Sequence, residues 1–269
     1  MILNLLSFAC PLILASFGAL FSEYAACLAL FLEGLISFSA FLHYFFTLWT
    51  HSALLASLMT CVTSLVLVLG FSFLTERFKT NKFISAIALN LFFSALPSFL
   101  SFVIFGSRGV LTSTEYSFSP IYSKTFTLIT SLILIIAALL FLLKSPYGLY
   151  IRISGSDAQV LQAKGVSPAN CRIAAWSLAA FYASFSGIFL AMRISSFVPN
   201  IASGRGWMAL AAVFLGKKKP LRILICVIIF SCADIFAANI QNFLPAIPTS
   251  VLMSFPYLLV LALILFDII

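Results

Sequence analysis

Stretches of about twenty mostly apolar residues recur along this chain, and each is long enough to cross a ~30 Å hydrocarbon core as an α-helix. Residues 3 to 21, 25 to 46, 52 to 74, 83 to 105, 126 to 143, 173 to 192 and 223 to 240 are seven such runs, and 250 to 268 is an eighth. Lipid offers no partner for a free backbone N–H or C=O, so a spanning run must be helical unless it closes into a barrel. The alternating segments of about ten residues that build an outer-membrane barrel do not recur here. Composition agrees, because 63% of the chain is apolar and only 8% is charged. Fifteen basic and seven acidic side chains cannot coat a soluble protein of 269 residues, which excludes a water-soluble enzyme. The expected fold is an all-α polytopic membrane protein with about eight transmembrane helices.

The net charge of +8 must be judged as loop charge before any nucleic-acid partner is considered. Eleven of the fifteen basic residues fall in three short connections: Arg77, Lys79 and Lys82; Lys144, Arg152, Lys164 and Arg172; Lys217, Lys218, Lys219 and Arg222. Lys and Arg are retained on the cytoplasmic side, so all three connections are expected inside and the loop from 106 to 124 outside. The charge is then orientation charge, and it supports no nucleic-acid binding. With residue 173 leaving the cytosol and residue 217 back in it, the segment from 193 to 216 must cross in a broken or re-entrant way. Gly204 and Gly206 mark the expected break. The N-terminus lacks a basic leader, and Ser7 stands where a lipoprotein signal carries Leu, so the first run is expected to be a retained span.

Several chemistries find no support. The six cysteines lie in or beside apolar runs without metal-ligand spacing and read as small buried hydrophobes. His43 and His51 flank Tyr44 and Trp49, a composition suited to a membrane interface. No phosphate-binding loop, metalloprotease motif or nucleophile elbow is present, so ATP would have to be hydrolysed by another chain.

The one sizeable polar segment among the basic connections is residues 145 to 172. Ser156 or Asp157 can cap a short helix there, Gly165 suits its C-terminal stop, and Ser167-Pro168 can open the next span. Ala158, Val160, Leu161 and Ala163 give that helix more apolar surface than a water-facing turn needs. It either docks against a partner or rests on the membrane surface.

With Gly148 and Arg152 ahead of it, the stretch G-S-D-A-Q-V-L-Q-A-K-G-V at 155 to 166 resembles the cytoplasmic coupling loop of ABC importer permeases. The resemblance is to the branched-chain amino acid, simple-sugar and nucleoside permease family, whose loop runs G-x-N-x-x-A-A-x-x-x-G-I. Asp157 stands in place of the Asn, and Val160 and Leu161 in place of the alanines. Further matches follow in order. P-L-I-L-A-S-F-G-A-L-F-S-E at 11 to 23 and L-E-G at 32 to 34 are similar to the family's first helices. A-I-A-L-N at 86 to 90 resembles its helix with a buried Asn, and S-G-R-G-W-M-A-L-A-A-V-F-L-G at 203 to 216 resembles its G-x-G-F-x-A-L-A-A segment. Ala29, Leu30 and Phe31 depart from the family's N-I-G, and Ser231 from its usual glycine.

The resemblance implies an ABC importer permease architecture, with residues 1–269 as one transmembrane domain and a coupling loop at 144–172. It implies a multi-pass protein of the bacterial cytoplasmic (inner) membrane. The implied partners are an ATP-binding subunit, a second permease forming a heterodimer, and an extracytoplasmic substrate-binding lipoprotein, with the chain embedded in the lipid bilayer. The chain would bind no cofactor, since ATP and Mg would be used by the partner subunit, and it would perform no catalysis. Within the family the nucleoside type is nearest, with a monosaccharide or riboflavin as alternatives. Gly155, Asp157, Val160, Leu161 and Gly165 would couple the permease to the ATPase.

Glu33 sits in an apolar run at an insertion cost of roughly 2.5 to 3.5 kcal/mol, so it belongs either in the translocation path, at a hinge, or in a structural pairing. Asn90 and Ser94, one helical turn apart, are candidates for the path or for helix-helix contact. Asp234, with Asn239, Gln241 and Asn242 beyond it, would line an outward mouth, although a solvated helix end explains the last three equally well. Gly34, Gly204 and Gly206 are the expected hinge positions. The reading from another class is an ATP-independent secondary transporter or membrane scaffold, although no internal repeat is evident.

Overall fold

A computed structural model describes residues 2–243 and 249–266. Among them the chain forms eleven α-helices: α1 (Ile2–Tyr24), α2 (Leu32–Thr50), α3 (Ala53–Arg77), α4 (Lys82–Phe105), α5 (Pro120–Lys144), α6 (Pro146–Ser156), α7 (Ala158–Ala163), α8 (Pro168–Ile194), α9 (Arg205–Leu215), α10 (Pro220–Phe243) and α11 (Thr249–Phe266). Six of these, α1, α3, α4, α5, α8 and most of α10, are long and apolar enough to cross a membrane. The 19-residue α2, with Glu33 in its first turn, and α11, whose apolar part is Ser254–Leu263, complete the bundle. The last residues of the run expected at 250 to 268 lie outside the described residues, as do the side chains of Gln241 and Asn242.

Local sequence sets the helix ends. Asn81 accepts hydrogen bonds from the Phe83 and Ile84 amides at the start of α4, while Ser119-Pro120 and Ser145-Pro146 open α5 and α6 with the Ser side chain capping and Pro in the first turn. At the other end, α4 stops on Gly106, which takes the left-handed conformation at φ +68°.

At the centre, α8 lies against α1, α2 and α3. Its buried stripe of Ala175, Ala179, Ala180, Ala183 and Gly187 lets backbones approach closely. Gly187 rests on the Ile36 carbonyl of α2, and Gly18 of α1 rests on the Ala179 carbonyl. Such small-residue contacts replace the hydrophobic drive that is missing between helices in lipid. Leu58, Val62, Val66 and Phe73 of α3, Phe92 and Phe99 of α4, and Ile133 and Leu140 of α5 point outward. Apolar exposure on this scale is a lipid-facing surface.

Two expectations need correction. The run from 25 to 46 does not start as a helix, because residues 25–31 are irregular and α2 begins only at Leu32. Side chains meet the freed backbone groups there: Ser22 Oγ accepts from the Ala29 amide at 3.1 Å, and Trp176 Nε1 donates to the Cys27 carbonyl at 2.8 Å. The second correction concerns His43, which is fully buried inside the protein and not on its surface beside Trp49 and His51. The loop after α4 folds back so that Tyr116 Oη lies 2.7 Å from His43 Nδ1. Five cysteines are buried as expected, whereas Cys232 is exposed on α10.

The three basic connections lie at one end of the bundle. Tyr24 Oη, at the end of α1, donates to the Lys218 carbonyl at 2.5 Å, and Lys218 pairs with Glu23 at 2.9 Å. Arg152 stacks over the Tyr24 ring, while Arg172 and Lys82 converge on Glu76. Lys and Arg retention makes this the cytosolic end. At the opposite end the loops after α4 and α8 meet in a short antiparallel pairing of Leu111 with Phe197.

Candidate functional site

The segment from 193 to 216 enters the bundle as a half-helix. At about 1.5 Å per residue, the eleven residues of α9 cover only about 16 Å, half of a hydrocarbon core. An N-terminus stranded at that depth leaves amides without partners, and Glu33 supplies them. Its carboxylate accepts from the Gly204 amide at 2.6 Å and from the Gly206 amide at 2.7 Å. Glu33 also sits in the first turn of α2, so two helix N-termini converge on one negative charge. Both glycines are required by geometry. Gly204 caps α9 at φ +83°, and a Cβ at Gly206 would lie 2.5 Å from the Glu33 backbone nitrogen.

Gly34 is held from the other side. Its amide donates to Asn90 Oδ1 at 2.7 Å, and its α-carbon packs on the Asn90 carbonyl with Ser94 Oγ alongside. Asn90 and Ser94 therefore knit α4 to the start of α2. Glu33, Gly34, Asn90, Ser94, Gly204 and Gly206 form one continuous junction of α2, α4 and α9.

Asp234 stands apart from that junction. It lines a cavity of about 450 Å³ with Arg205 at the start of α9, Phe8 of α1, and Tyr257 of α11. The Tyr257 hydroxyl donates to the Ser203 carbonyl, and its ring covers Gly204. Phe8 sits under two guanidinium groups, those of Arg193 at 4.8 Å and Arg205 at 5.7 Å. Sequence reasoning singled out Asp234 and did not count Arg205, Phe8 or Tyr257 among the candidates. The available signal was an arginine flanked by two glycines in a segment already expected to break.

At the cytosolic end α7 is a helix of under two turns. Asp157 Oδ1 caps it by accepting from the Gln159 and Val160 amides at 3.0 and 3.3 Å, and Gly165 follows it at φ +74°. Leu161 is 0% exposed and anchors α7 inward, which leaves Gln159, Val160, Gln162 and Ala163 as its outward face. Gly155 lies on the Tyr24 carbonyl, so the last turn of α6, just before α7, is seated on the end of α1. The helix α6 itself was not expected. Arg172, at the start of α8, makes a two-pronged bond to Glu76 of α3 at 2.6 and 2.7 Å. A larger crevice of about 930 Å³ runs beside α6 and α8 at this end and is lined by Tyr147, Tyr150, Val166 and other uncharged residues.

An interrupted second helix, a half-helix clamped by a buried acid, and a short capped helix exposed at the cytosolic end define a polytopic membrane protein built for transport. Residues 1–266 match the family described as the branched-chain amino acid transport system permease component, and the chain belongs to that family. It is a permease subunit of an ABC importer, a multi-pass protein of the cytoplasmic membrane and a transport component.

Among its relatives, the guanosine ABC transporter permease protein NupQ of Bacillus subtilis is 26% identical, over 94% of this chain and 87% of its own length. The nucleoside ABC transporter permease protein NupC of Lactococcus lactis subsp. cremoris is 29% identical, over 97% and 91%. The putative glucose ABC transporter permease protein TsgC13 of Haloferax volcanii is 27% identical, over 86% and 74%. No solved structure matches the chain.

Proposed function

We propose that this chain and a second, non-identical permease form the path for a nucleoside across the cytoplasmic membrane, driven by ATP hydrolysis in a separate ATP-binding subunit. An extracytoplasmic binding lipoprotein delivers the substrate to the outer end, and the chain itself holds no cofactor. The observation that carries this reading is α7. It is capped at both ends, anchored inward by Leu161, and presents Val160, 44% exposed, on a face that no element among the described residues covers. An apolar side chain displayed beside Gln159, Gln162 and Lys164 on the cytosolic end suits a shallow groove on a soluble partner. Closure of an ATPase dimer would move α7, and Gly155 on the Tyr24 backbone would pass that movement to α1 and the interrupted segment before α2. The nucleoside assignment is supported by the names of the two bacterial relatives.

Affinity purification of the tagged chain from native membranes in mild detergent is expected to recover an ATP-binding subunit and a second permease. Val160→Asp is expected to abolish their recovery and to lower uptake of labelled guanosine at least ten-fold while the chain still reaches the membrane. Recovery of the chain alone under conditions that preserve known complexes overturns the importer assembly. Unchanged nucleoside uptake after deletion of the gene, with loss of glucose uptake, overturns the substrate.

A further inference from the structure

The cavity of about 450 Å³ beside α9 has a makeup that the clamp and the coupling segment do not explain. It lies against the spanning helix α10 yet holds two opposite charges, Arg205 and Asp234. Ionisable groups at such depth are costly, and the usual remedy is direct pairing. That remedy is not used here. Among the described residues no ion pair or hydrogen bond engages the Asp234 carboxylate, although Arg205 is near enough for its charge to be felt there. Among the described residues the Arg205 guanidinium bonds the Ala202 carbonyl, at 3.5 Å, and leans over Phe8 at 5.7 Å. A planar fan of donors and a two-oxygen acceptor therefore line one cavity together with Phe8, Met208 and Tyr257.

We infer that this cavity is a purine-nucleoside subsite that selects 6-oxopurines, with Arg205 and Asp234 reading the base and Phe8 and Tyr257 flanking its faces. The inference rests on the nucleoside reading proposed above and deepens it. A guanidinium is matched by two adjacent acceptors, which guanine offers in O6 and N7. A carboxylate only accepts, so it is matched by two adjacent donors, which guanine offers in N1–H and its exocyclic amine. The two edges adjoin around one ring, as Arg205 and Asp234 adjoin around one cavity. Adenine places its single amino donor between two acceptors and cannot satisfy both groups. Hypoxanthine keeps N1–H but lacks the amine. The volume falls within the range of sites that enclose small ligands, and aromatic side chains accept the faces of any base. The bound base is neutral, so it shields both charges without adding a third.

The test uses the complete importer in cells lacking the native gene, complemented with wild type, Asp234→Asn or Arg205→Lys at matched membrane levels. Initial uptake of labelled guanosine, inosine and adenosine is compared. Asp234→Asn gives back a group that donates as well as accepts, and Arg205→Lys keeps the charge but loses the fork. Each is expected to lower the ratio of guanosine to adenosine uptake by roughly ten-fold, within the discrimination a two-pronged base contact provides, with inosine in between. A ratio unchanged in both variants, whether total uptake holds or falls for all three nucleosides alike, overturns the subsite. If only one variant reaches the membrane, that variant decides. A wild type that imports none of the three refutes the nucleoside reading itself, and the subsite with it. That outcome is told apart from failure of the subsite alone by the unmutated importer.

Discussion

Glu33 ties the start of α2 to the N-terminus of α9. In the sequence it stands out because a carboxylate in an apolar run must have a partner, and Gly34, Gly204 and Gly206 stand out as breakable points in helices. What the sequence could not reveal is that these residues meet, since Glu33 and Gly204 are 171 positions apart. Three explanations for Glu33 were open to sequence reasoning, and the geometry places its carboxylate in a backbone clamp. Asn90 and Ser94 likewise pack against Gly34, a contact that a mid-span Asn announces without naming its acceptor. Glu33→Gln retains the shape but leaves one oxygen to serve two amides, so at least one buried N–H loses its partner. The expected cost is about 1 to 3 kcal/mol, more than a neutral hydrogen bond because the acceptor is charged. For a chain of this size that corresponds to a fall of roughly 2 to 12 °C in the thermal midpoint of the detergent-solubilised protein. An unchanged midpoint would show that the amides find water or another acceptor.

At the level of elements, helices flanked by recognisable caps were readable and those shaped by distant contacts were not. Asp157 and Gly165 delimit α7 from local chemistry alone, and Ser167-Pro168 opens α8. The irregular stretch from 25 to 31 is apolar enough to pass for helix, and Ser22 and Trp176, reaching in from α1 and α8, meet two of the backbone groups that a helix would have paired. The pairing of Glu76 with Arg172 was equally hidden, because both read as charges at the ends of spans. It ties α3 to the start of α8, shortly after α7, with side chains only 13% and 19% exposed. Arg172→Glu sets two carboxylates against each other in a semi-enclosed site. A destabilisation of about 2 to 4 kcal/mol is expected, below the upper end for a fully buried pair. The double exchange Glu76→Arg with Arg172→Glu is expected to recover most of it, read as the yield of monodisperse protein by size-exclusion chromatography. Absence of recovery would mean that Lys82 and the surrounding backbone, not the pair itself, set the preference.

For the whole molecule, orientation was the most legible property. Loop charge alone placed the connections at 77 to 82, 144 to 172 and 217 to 222 on one side, and in the fold they gather at one end through Tyr24, Glu76 and Lys218. A cysteine introduced at Ser107 is expected to react with a membrane-impermeant maleimide in intact cells, and one at Ser156 only after the membrane is opened. The reverse pattern would invert the molecule and detach α7 from any cytosolic partner. The clamp on α9 also bears on how the protein comes into being. Ribosomes add about 5 to 20 residues per second, so the 171 residues between Glu33 and Gly204 take roughly 9 to 34 seconds to make. Throughout that interval the nascent α2 resides in the bilayer with its acid uncompensated, and the half-helix that will relieve it does not yet exist. The clamp therefore closes only after those residues have been made, and a ribosome that stalls before Gly204 leaves a chain whose Glu33 carboxylate lacks both of its backbone donors.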